Sequence, residues 1–196
     1  MNLVLEKIKK KALDEHIPII MDDTLDVVIN IIKEKKPQKI LEIGTAVGYS
    51  AICFILSCDE NTKIDTIEKD EDKIRQAHQN ILNMKLSDRI NILEGDAVEI
   101  LPKLKDNSYD IIFIDAAKGK YPFFLEQSIR LAKNNCIILA DNILYKGYVM
   151  SDYNKHKQRT AVNHLREYIA KSQNDSSLET EILSVGDGLA ISKVQK

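Results

Sequence analysis

The clearest hydrophobic pattern lies at residues 39–50, where an apolar run leads through glycine into a helical pattern. Residues 39–43 are mostly apolar and β-branched, which is typical of a buried strand. Gly44 ends that run, and Gly48 precedes the helical pattern that begins at Tyr49. A strand that turns through glycine into a helix N-terminus is typical of a nucleotide pocket.

The rest of the chain alternates between strand and helix patterns. Helical periodicity predicts an N-terminal helical segment at 1–36, interrupted near Pro18. Further helices are predicted at 49–56, 70–84, 121–132 and 160–171, the second with Asp70 as its cap and with Ile74, Ala77, Ile81 and Leu82 facing inward. Strands are predicted at 40–43, 63–68, 90–93, 109–115, 136–141, 178–185 and 188–194.

This order of elements predicts an α/β fold. Strands alternate with helices along most of the chain, which favours a doubly wound, mostly parallel sheet. The last two strands are joined by Gly186-Asp187-Gly188, which is typical of a tight antiparallel hairpin. We therefore expect a Rossmann-like sheet of seven strands with an antiparallel C-terminal hairpin.

Composition narrows the class of protein. A chain of 196 residues with 44% hydrophobic residues predicts one domain, 1–196. A net charge of -2 does not indicate a nucleic-acid or membrane-surface binder, although it leaves room for a local basic patch. We find no signal region and no apolar run of membrane-spanning length, and we expect a cytoplasmic protein without a membrane partner.

The three cysteines are Cys53, Cys58 and Cys136. Their number is odd, and they lie inside apolar periodic segments. Buried, reduced thiols are therefore favoured over disulfides. The pair at 53 and 58 has no second pair with which to complete a zinc site.

The glycine turn also indicates which nucleotide is bound. A dinucleotide site has the pattern G-x-G-x-x-G, whereas this chain has Gly44-x-x-x-Gly48 preceded by Glu42. Carboxylates at Glu42 and Glu68 would repel a phosphate-rich ligand but suit one with a ribose and a positive charge, such as S-adenosylmethionine. Glu68 ends the second strand, where an acidic residue grips ribose hydroxyls in such folds. Asp96 could accept from an adenine amino group or cap a helix.

A second group of polar residues follows two other apolar strands. Asp115 and Asp141 each end a strand, and Asn142 comes next. Because ligands bind at the carboxyl ends of parallel strands, these oxygens should converge, and they suit a hard divalent ion such as Mg²⁺. Lys118 would lie near that ion and could act as a base. Each residue alone has a structural explanation, as turn former, cap or surface charge, but their joint placement favours a metal site.

Several longer motifs resemble one family, the metal-dependent class I O-methyltransferases of the catechol and caffeoyl-CoA type. They are LEIGTAVGYS at 41–50, IEKD at 67–70, GDA at 95–97, IFIDAAKGKY at 112–121, ADN at 140–142 and VGDGLAISK at 185–193. The resemblance covers nearly the whole chain.

The resemblance implies a role for each matching residue. It implies that the donor is bound by Glu42, Gly44, Ser50, Glu68, Asp96, Ala97 and Asp115. It also implies that the metal ligands are Asp115, Asp141 and Asn142, and that the catalytic residues are Lys118 and Asp115. The implied cofactors are S-adenosylmethionine and Mg²⁺, or another hard ion such as Mn²⁺ or Ca²⁺, and the implied assembly is a homodimer.

Three functions remain open. The motifs are most similar to the bacterial branch of the family that methylates 5-hydroxyuridine at the tRNA wobble position, which makes the tRNA anticodon loop the first candidate partner. The basic residues Lys146, Lys155, Lys157 and Arg159 support it weakly, since charged loops are usually only solvated. The second function is methylation of a small catechol-like molecule. The third, a non-catalytic nucleotide-binding module, has no need of a base beside a metal.

Overall fold

The structure is a computed structural model that describes residues 3–152 and 158–196. Its helices are α1 Leu3–Asp14, α2 Asp22–Lys35, α3 Tyr49–Leu56, α4 Glu71–Asn83, α5 Ala97–Ile100, α6 Tyr121–Leu131 and α7 Arg159–Asn174. Its strands are β1 Lys39–Ile43, β2 Lys63–Glu68, β3 Ile90–Glu94, β4 Tyr109–Ile114, β5 Ala132–Ala140, β6 Leu178–Leu183 and β7 Leu189–Val194. Short 3₁₀ turns lie at Leu101–Lys103, Lys118–Lys120 and Tyr148–Met150.

Local sequence signals account for most of these boundaries. The carboxylate of Asp70 accepts from the backbone N–H groups of Asp72 and Lys73, so it caps α4 as predicted. Gly48, with a φ of +81°, is the N-cap residue immediately before α3. The bounds of α3 and β2 are those predicted from the sequence, because in both elements the apolar pattern and the flanking turn residues agree.

The described residues form two compact units, divided after Ile100. In the first unit, β1 pairs with β2 and β2 with β3, all in parallel. Ile43 lies opposite Ile67, and Glu68 lies opposite Glu94, so the carboxyl ends of these strands are level. The glycine turn after β1 and the carboxylate at the end of β2 therefore lie at the same edge.

In the second unit, β4 and β5 are parallel, whereas β7 is antiparallel to both β5 and β6. Ile114 at the end of β4 lies opposite Ala140 at the end of β5. The residues that follow them are Asp115 and Asp141, so the register places these two aspartates at neighbouring strand ends. The strand order is β3-β2-β1-β4-β5-β7-β6, which confirms the predicted doubly wound, mostly parallel sheet with an antiparallel C-terminal pair. One domain over 1–196 stays a prediction.

Some details differ from the prediction. β5 begins at Ala132, four residues before the predicted start at Cys136. Polar residues follow Ala132, but pairing of Ala132 with Tyr109 of β4 makes this stretch part of the strand. Leu82 is 61% exposed rather than part of the inward face of α4. Cys58 is partly exposed, whereas Cys53 and Cys136 are buried, and all three are free. None of the helices in the described ranges is long and apolar enough to span a membrane.

Candidate active site

The glycine turn brings two helices of the first unit close together. Gly44 has a φ of +103°, which favours glycine, and its N–H donates to the carbonyl of Ile67. A Cβ added at Gly48 would lie 3.4 Å from Cβ of Ala77 on α4, which is about van der Waals contact. Glycine at 48 therefore serves mainly the backbone φ of +81°, with α4 packed directly against the turn.

The carboxylate of Glu68 is fixed by three backbone N–H groups. Its Oε2 accepts from Ala46 at 2.9 Å, and its Oε1 accepts from Lys69 at 2.9 Å and Asp70 at 3.0 Å. The side chain is partly buried, and carboxylate oxygens can accept further bonds. Glu68 is thus preorganised to accept from ribose hydroxyls, and its role in donor binding stays a prediction.

Glu42, which is predicted to bind the donor, is fully buried near the end of β1. It is 0% exposed, and its carboxylate accepts from the hydroxyls of Ser50 and Thr66. Glu42 thereby orients Ser50, which is itself partly exposed. The role of Glu42 in donor binding stays a prediction.

Asp96 already acts as a cap. Its Oδ1 accepts from the N–H of Val98 at 2.9 Å at the start of α5, and its Oδ2 lies 3.3 Å from Nζ of Lys69. Ala97, the first residue of α5, is partly exposed. The cap explanation left open by the sequence is therefore correct for Asp96, and contact with an adenine amino group stays a prediction.

The two aspartates of the second unit occupy an unfavourable environment for negative charge. Asp141 is 1% exposed and Asp115 is partly buried. Burial raises the pKa of Asp115, although the charge of Lys118 opposes this. Burial also raises the pKa of Asp141 to about 7, and the nearby charge of Asp115 adds to that rise.

The structure brings Lys118 and Asn142 together beside these aspartates. Nζ of Lys118 donates to Oδ1 of Asn142 at 3.0 Å and lies 5.6 Å from the ring centroid of Tyr145. The N–H of Asn142 donates to Oδ1 of Asp141 at 2.7 Å. The four predicted residues of the second unit are thus linked by two hydrogen bonds, Lys118 to Asn142 and Asn142 to Asp141, and by electrostatic interactions that involve Asp115.

Sequence reasoning did not identify Tyr121 as part of this site. Its hydroxyl is fully buried and donates to the carbonyl of Asp141 at 2.8 Å. The first residue of α6 thus fixes the backbone at Asp141. The sequence gives no signal for this bond, since a tyrosine at a helix start is equally suited to packing alone.

The predicted metal ligands fit a hard divalent cation. Two buried or partly buried carboxylates and one amide oxygen lie together, with the ammonium group of Lys118 near them. A divalent ion would offset their unfavourable charge, and oxygen ligands are what Mg²⁺ and Ca²⁺ prefer. Within the ranges that the structure describes, no group of three or more His, Cys, Asp or Glu side chains could hold a metal. The proposed set includes Asn142 and so does not depend on such a group.

The basic loop is only partly described. Lys146 and Arg159 are exposed, which is compatible with the predicted contact with RNA. Lys155 and Lys157, two further residues of that prediction, lie outside the described residues.

Comparison with known proteins decides the family. A model of the O-methyltransferase family matches residues 1–195. This chain belongs to that family. The predicted enzyme class, an S-adenosylmethionine-dependent O-methyltransferase, is confirmed.

Three matches illustrate how this O-methyltransferase compares with others. A catechol O-methyltransferase of Niastella koreensis is 31% identical over 166 residues, which cover 81% of this chain and 74% of that protein. The structure of a proposed caffeoyl-CoA O-methyltransferase from Staphylococcus aureus is 33% identical, with a TM-score of 0.91 and coverage of 98% and 93%. An O-methyltransferase from Bacillus cereus, solved in complex with SAH, shares the fold at 24% identity and a TM-score of 0.89, with coverage of 100% and 92%.

Proposed function

We propose that this O-methyltransferase transfers the methyl group of S-adenosylmethionine to 5-hydroxyuridine at the tRNA wobble position with the help of Mg²⁺ or a similar ion. The observation that carries the catalytic part is the cluster formed by Asp115, Lys118, Asp141 and Asn142. Asp115, Asp141 and Asn142 would hold the ion through their side-chain oxygens. The bound ion would supply Lewis acidity, which lowers the pKa of a substrate hydroxyl.

Lys118 then acts as the general base. Its Nζ takes the proton from the substrate hydroxyl, and the resulting oxyanion attacks the methyl carbon of the donor in line. The O–CH₃ bond forms as the S–CH₃ bond breaks, so the sulfonium becomes a neutral thioether. Lys118 must be the neutral amine when it takes this proton, a form that the charge of the bound ion would favour, and it becomes the ammonium afterwards. The hydrogen bond to Asn142 positions its Nζ.

The donor is proposed to bind at the glycine turn. Glu68 presents a carboxylate held by three backbone N–H groups, which suits the ribose hydroxyls. Asp96 and Ala97 lie at the start of α5, at the end of the next strand, where the adenine would be bound. Gly44 in the turn and Ser50 near the start of α3 complete the proposed donor site.

The tRNA substrate is supported by motif resemblance and by chemistry. The 5-oxygen and 4-carbonyl of 5-hydroxyuridine could chelate a cation as two catechol oxygens do. A wobble base lies unpaired in the anticodon loop, so no duplex has to be opened. Exposed Lys146 and Arg159 offer positive charge for the flanking phosphates. Such a substrate places the enzyme in the cytoplasm, and a homodimer remains part of the proposal on the family resemblance alone.

The second candidate function is methylation of a small catechol-like molecule. It is favoured by the 31% identity to the catechol O-methyltransferase of Niastella koreensis. The two candidates share the same catalytic residues and differ only in what brings the hydroxyl to them.

Mass spectrometry of tRNA nucleosides from cells with and without this protein distinguishes the two. Loss of 5-methoxyuridine with accumulation of 5-hydroxyuridine supports the tRNA substrate. An unchanged nucleoside profile, together with turnover of a catechol by the purified enzyme, would replace it with the small-molecule function.

A further inference from the structure

The loop 142–151 follows the proposed metal ligand Asp141 and is anchored by the hairpin between β6 and β7. The carboxylate of Asp187 accepts from the N–H of Lys146. The backbone carbonyl of Asp187 accepts from the N–H of Leu144 at 2.9 Å. A third connection is made by the carbonyl of Gly188, which accepts from the N–H of Ile143 at 2.9 Å. The first half of the loop is thus fixed to the hairpin.

A second anchor holds the other half of the loop. Arg166 on α7 donates from Nε to the carbonyl of Val149 at 3.1 Å. Its Nη2 donates to the carbonyls of Tyr148 at 3.3 Å and Ser151 at 2.5 Å. One guanidinium therefore donates to three backbone carbonyls of the loop, which uses the fixed fork geometry of arginine.

The loop needs these anchors because its backbone is strained. Asn142, Tyr145 and Lys146 have φ values of +54°, +44° and +56°, in the left-handed region that residues with a Cβ rarely adopt. Such conformations persist where the surroundings over-determine them, and they are concentrated at functional sites.

Gly188 of the hairpin packs closely against Leu144 of the loop. A Cβ added at Gly188 would lie 2.3 Å from Cγ of Leu144, which no real contact allows. Glycine at 188 is therefore required for the hairpin to approach the loop as closely as it does.

Two of these three strained residues lie against the proposed base. Asn142 accepts from Nζ of Lys118, and the ring of Tyr145 lies 5.6 Å from that nitrogen. We propose that Asp187 and Arg166 are positioning residues for catalysis, which hold loop 142–151 in the conformation that places Asn142 and Tyr145 against Lys118. This inference rests on the proposed role of Lys118, but the anchoring itself can be measured without activity.

The test compares Asp187→Ala with Asp187→Asn at saturating Mg²⁺. Alanine removes the acceptor of the Lys146 N–H, whereas asparagine keeps a side-chain oxygen in the same place. We expect Asp187→Ala to lower kcat by about 10- to 100-fold with the donor Kd within about twofold. We expect Asp187→Asn to stay within about threefold of the unmodified enzyme. Catechol as substrate keeps the comparison independent of RNA binding.

Asp175→Ala is the matched control. Asp175 also accepts from a backbone N–H, that of Ser177, but it lies in the turn before β6. Its kcat should be unchanged. Hydrogen exchange of the amides at 143–150 should be faster in Asp187→Ala and unchanged in Asp187→Asn and Asp175→Ala.

Several results would overturn the inference. They are an equal loss of kcat in the alanine and asparagine variants, unchanged exchange in Asp187→Ala, or faster exchange without any loss of kcat. If Asp187→Ala does not fold, Arg166→Met gives the same comparison from the second anchor, since methionine keeps an apolar stem without a donor. If the unmodified enzyme methylates neither catechol nor tRNA, the proposed function fails, while exchange still decides whether Asp187 anchors the loop.

Discussion

Lys118 and Asn142 are 24 positions apart in the chain, yet Nζ of the lysine donates to Oδ1 of the amide at 3.0 Å. The contact exists because β4 and β5 pair in parallel, with Ile114 opposite Ala140, so that the segments after both strands begin side by side. It joins the proposed base directly to a proposed metal ligand.

Replacing Lys118 tests the base. We expect Lys118→Met to lower kcat by roughly 10²- to 10⁴-fold while the donor Kd stays nearly unchanged, because methionine keeps the length of the side chain but cannot take a proton. Lys120→Met is the control, since Lys120 is exposed on the same 3₁₀ turn. Steady-state kinetics and calorimetry give both values. A Lys118→Met enzyme with most of its kcat would make Lys118 a surface charge only.

Removing divalent ions should separate donor binding from catalysis. The residues proposed to bind the ribose and adenine, among them Glu68 and Asp96, do not need the ion. Calorimetry in excess chelator should therefore still detect S-adenosylmethionine binding. Turnover should disappear under the same conditions and return with Mg²⁺ or Mn²⁺. Full turnover in excess chelator would exclude the metal mechanism.

The metal-free protein should gain stability when Asp141 is neutralised. Asp141 is 1% exposed and near the like charge of Asp115, so its ionised form is unfavourable without a cation. In chelator at pH 8, we expect Asp141→Asn to melt about 2–4 °C higher, which corresponds to about 1 kcal/mol at this size. Mg²⁺ should raise the Tm of the unmodified protein but not of the variant.

Asp110→Asn is the control for that experiment. Asp110 is ion-paired with Lys133 at 2.9 Å, so its neutralisation should not stabilise the protein. Equal melting temperatures for the unmodified protein and Asp141→Asn, with equal responses to Mg²⁺, would contradict a cation site at Asp141.

The thiols should react slowly in the folded protein. Burial raises the pKa of Cys53 to about 12 and that of Cys58 to about 11, so at pH 8 both remain protonated and are poor nucleophiles. We expect slow labelling by a thiol reagent at pH 8, with Cys58 reacting before Cys53 because it is partly exposed, and rapid labelling in denaturant. Labelling of all three cysteines in the native protein within seconds would contradict this account.

The basic loop gives a direct test of RNA binding. Neutralising Lys155, Lys157 and Arg159 together should weaken tRNA binding and flatten its salt dependence, because phosphate contacts release counterions. Methylation of a free catechol should be unaffected. Filter binding at several salt concentrations measures the first effect, and initial rates measure the second.

A control with the same change in charge is available in the second unit. Lys171, Lys193 and Lys196 are exposed, and Lys193 pairs with Ile137 rather than with the end of β5 that precedes Asp141. Neutralising these three should leave tRNA binding and its salt slope unchanged. Equal tRNA methylation by both triple variants at moderate salt would mean that the basic loop does not hold RNA.

Much of the fold follows from local signals in the sequence. The apolar run, the glycines and the cap at Asp70 predict β1, α3 and the start of α4, because each depends on residues close together in the chain. The start of β5 is different. Polar residues at 133–135 interrupt the apolar pattern, so the sequence does not predict a strand there. Pairing with β4 makes that stretch part of β5.

In the candidate site, too, some features follow from the sequence and others only from packing. The sequence indicates which residues are candidates for the chemistry, because carboxylates, an amide and a lysine follow apolar strands directly along the chain. The partners of those groups depend on tertiary packing, which buries Glu42 against Ser50 and Thr66 and brings Lys118 to Asn142. Asp187 and Arg166 could not be assigned from sequence, since each acts on a backbone far away along the chain. Strand ends are set by local patterns, whereas hydrogen-bond partners are set by how the whole chain packs.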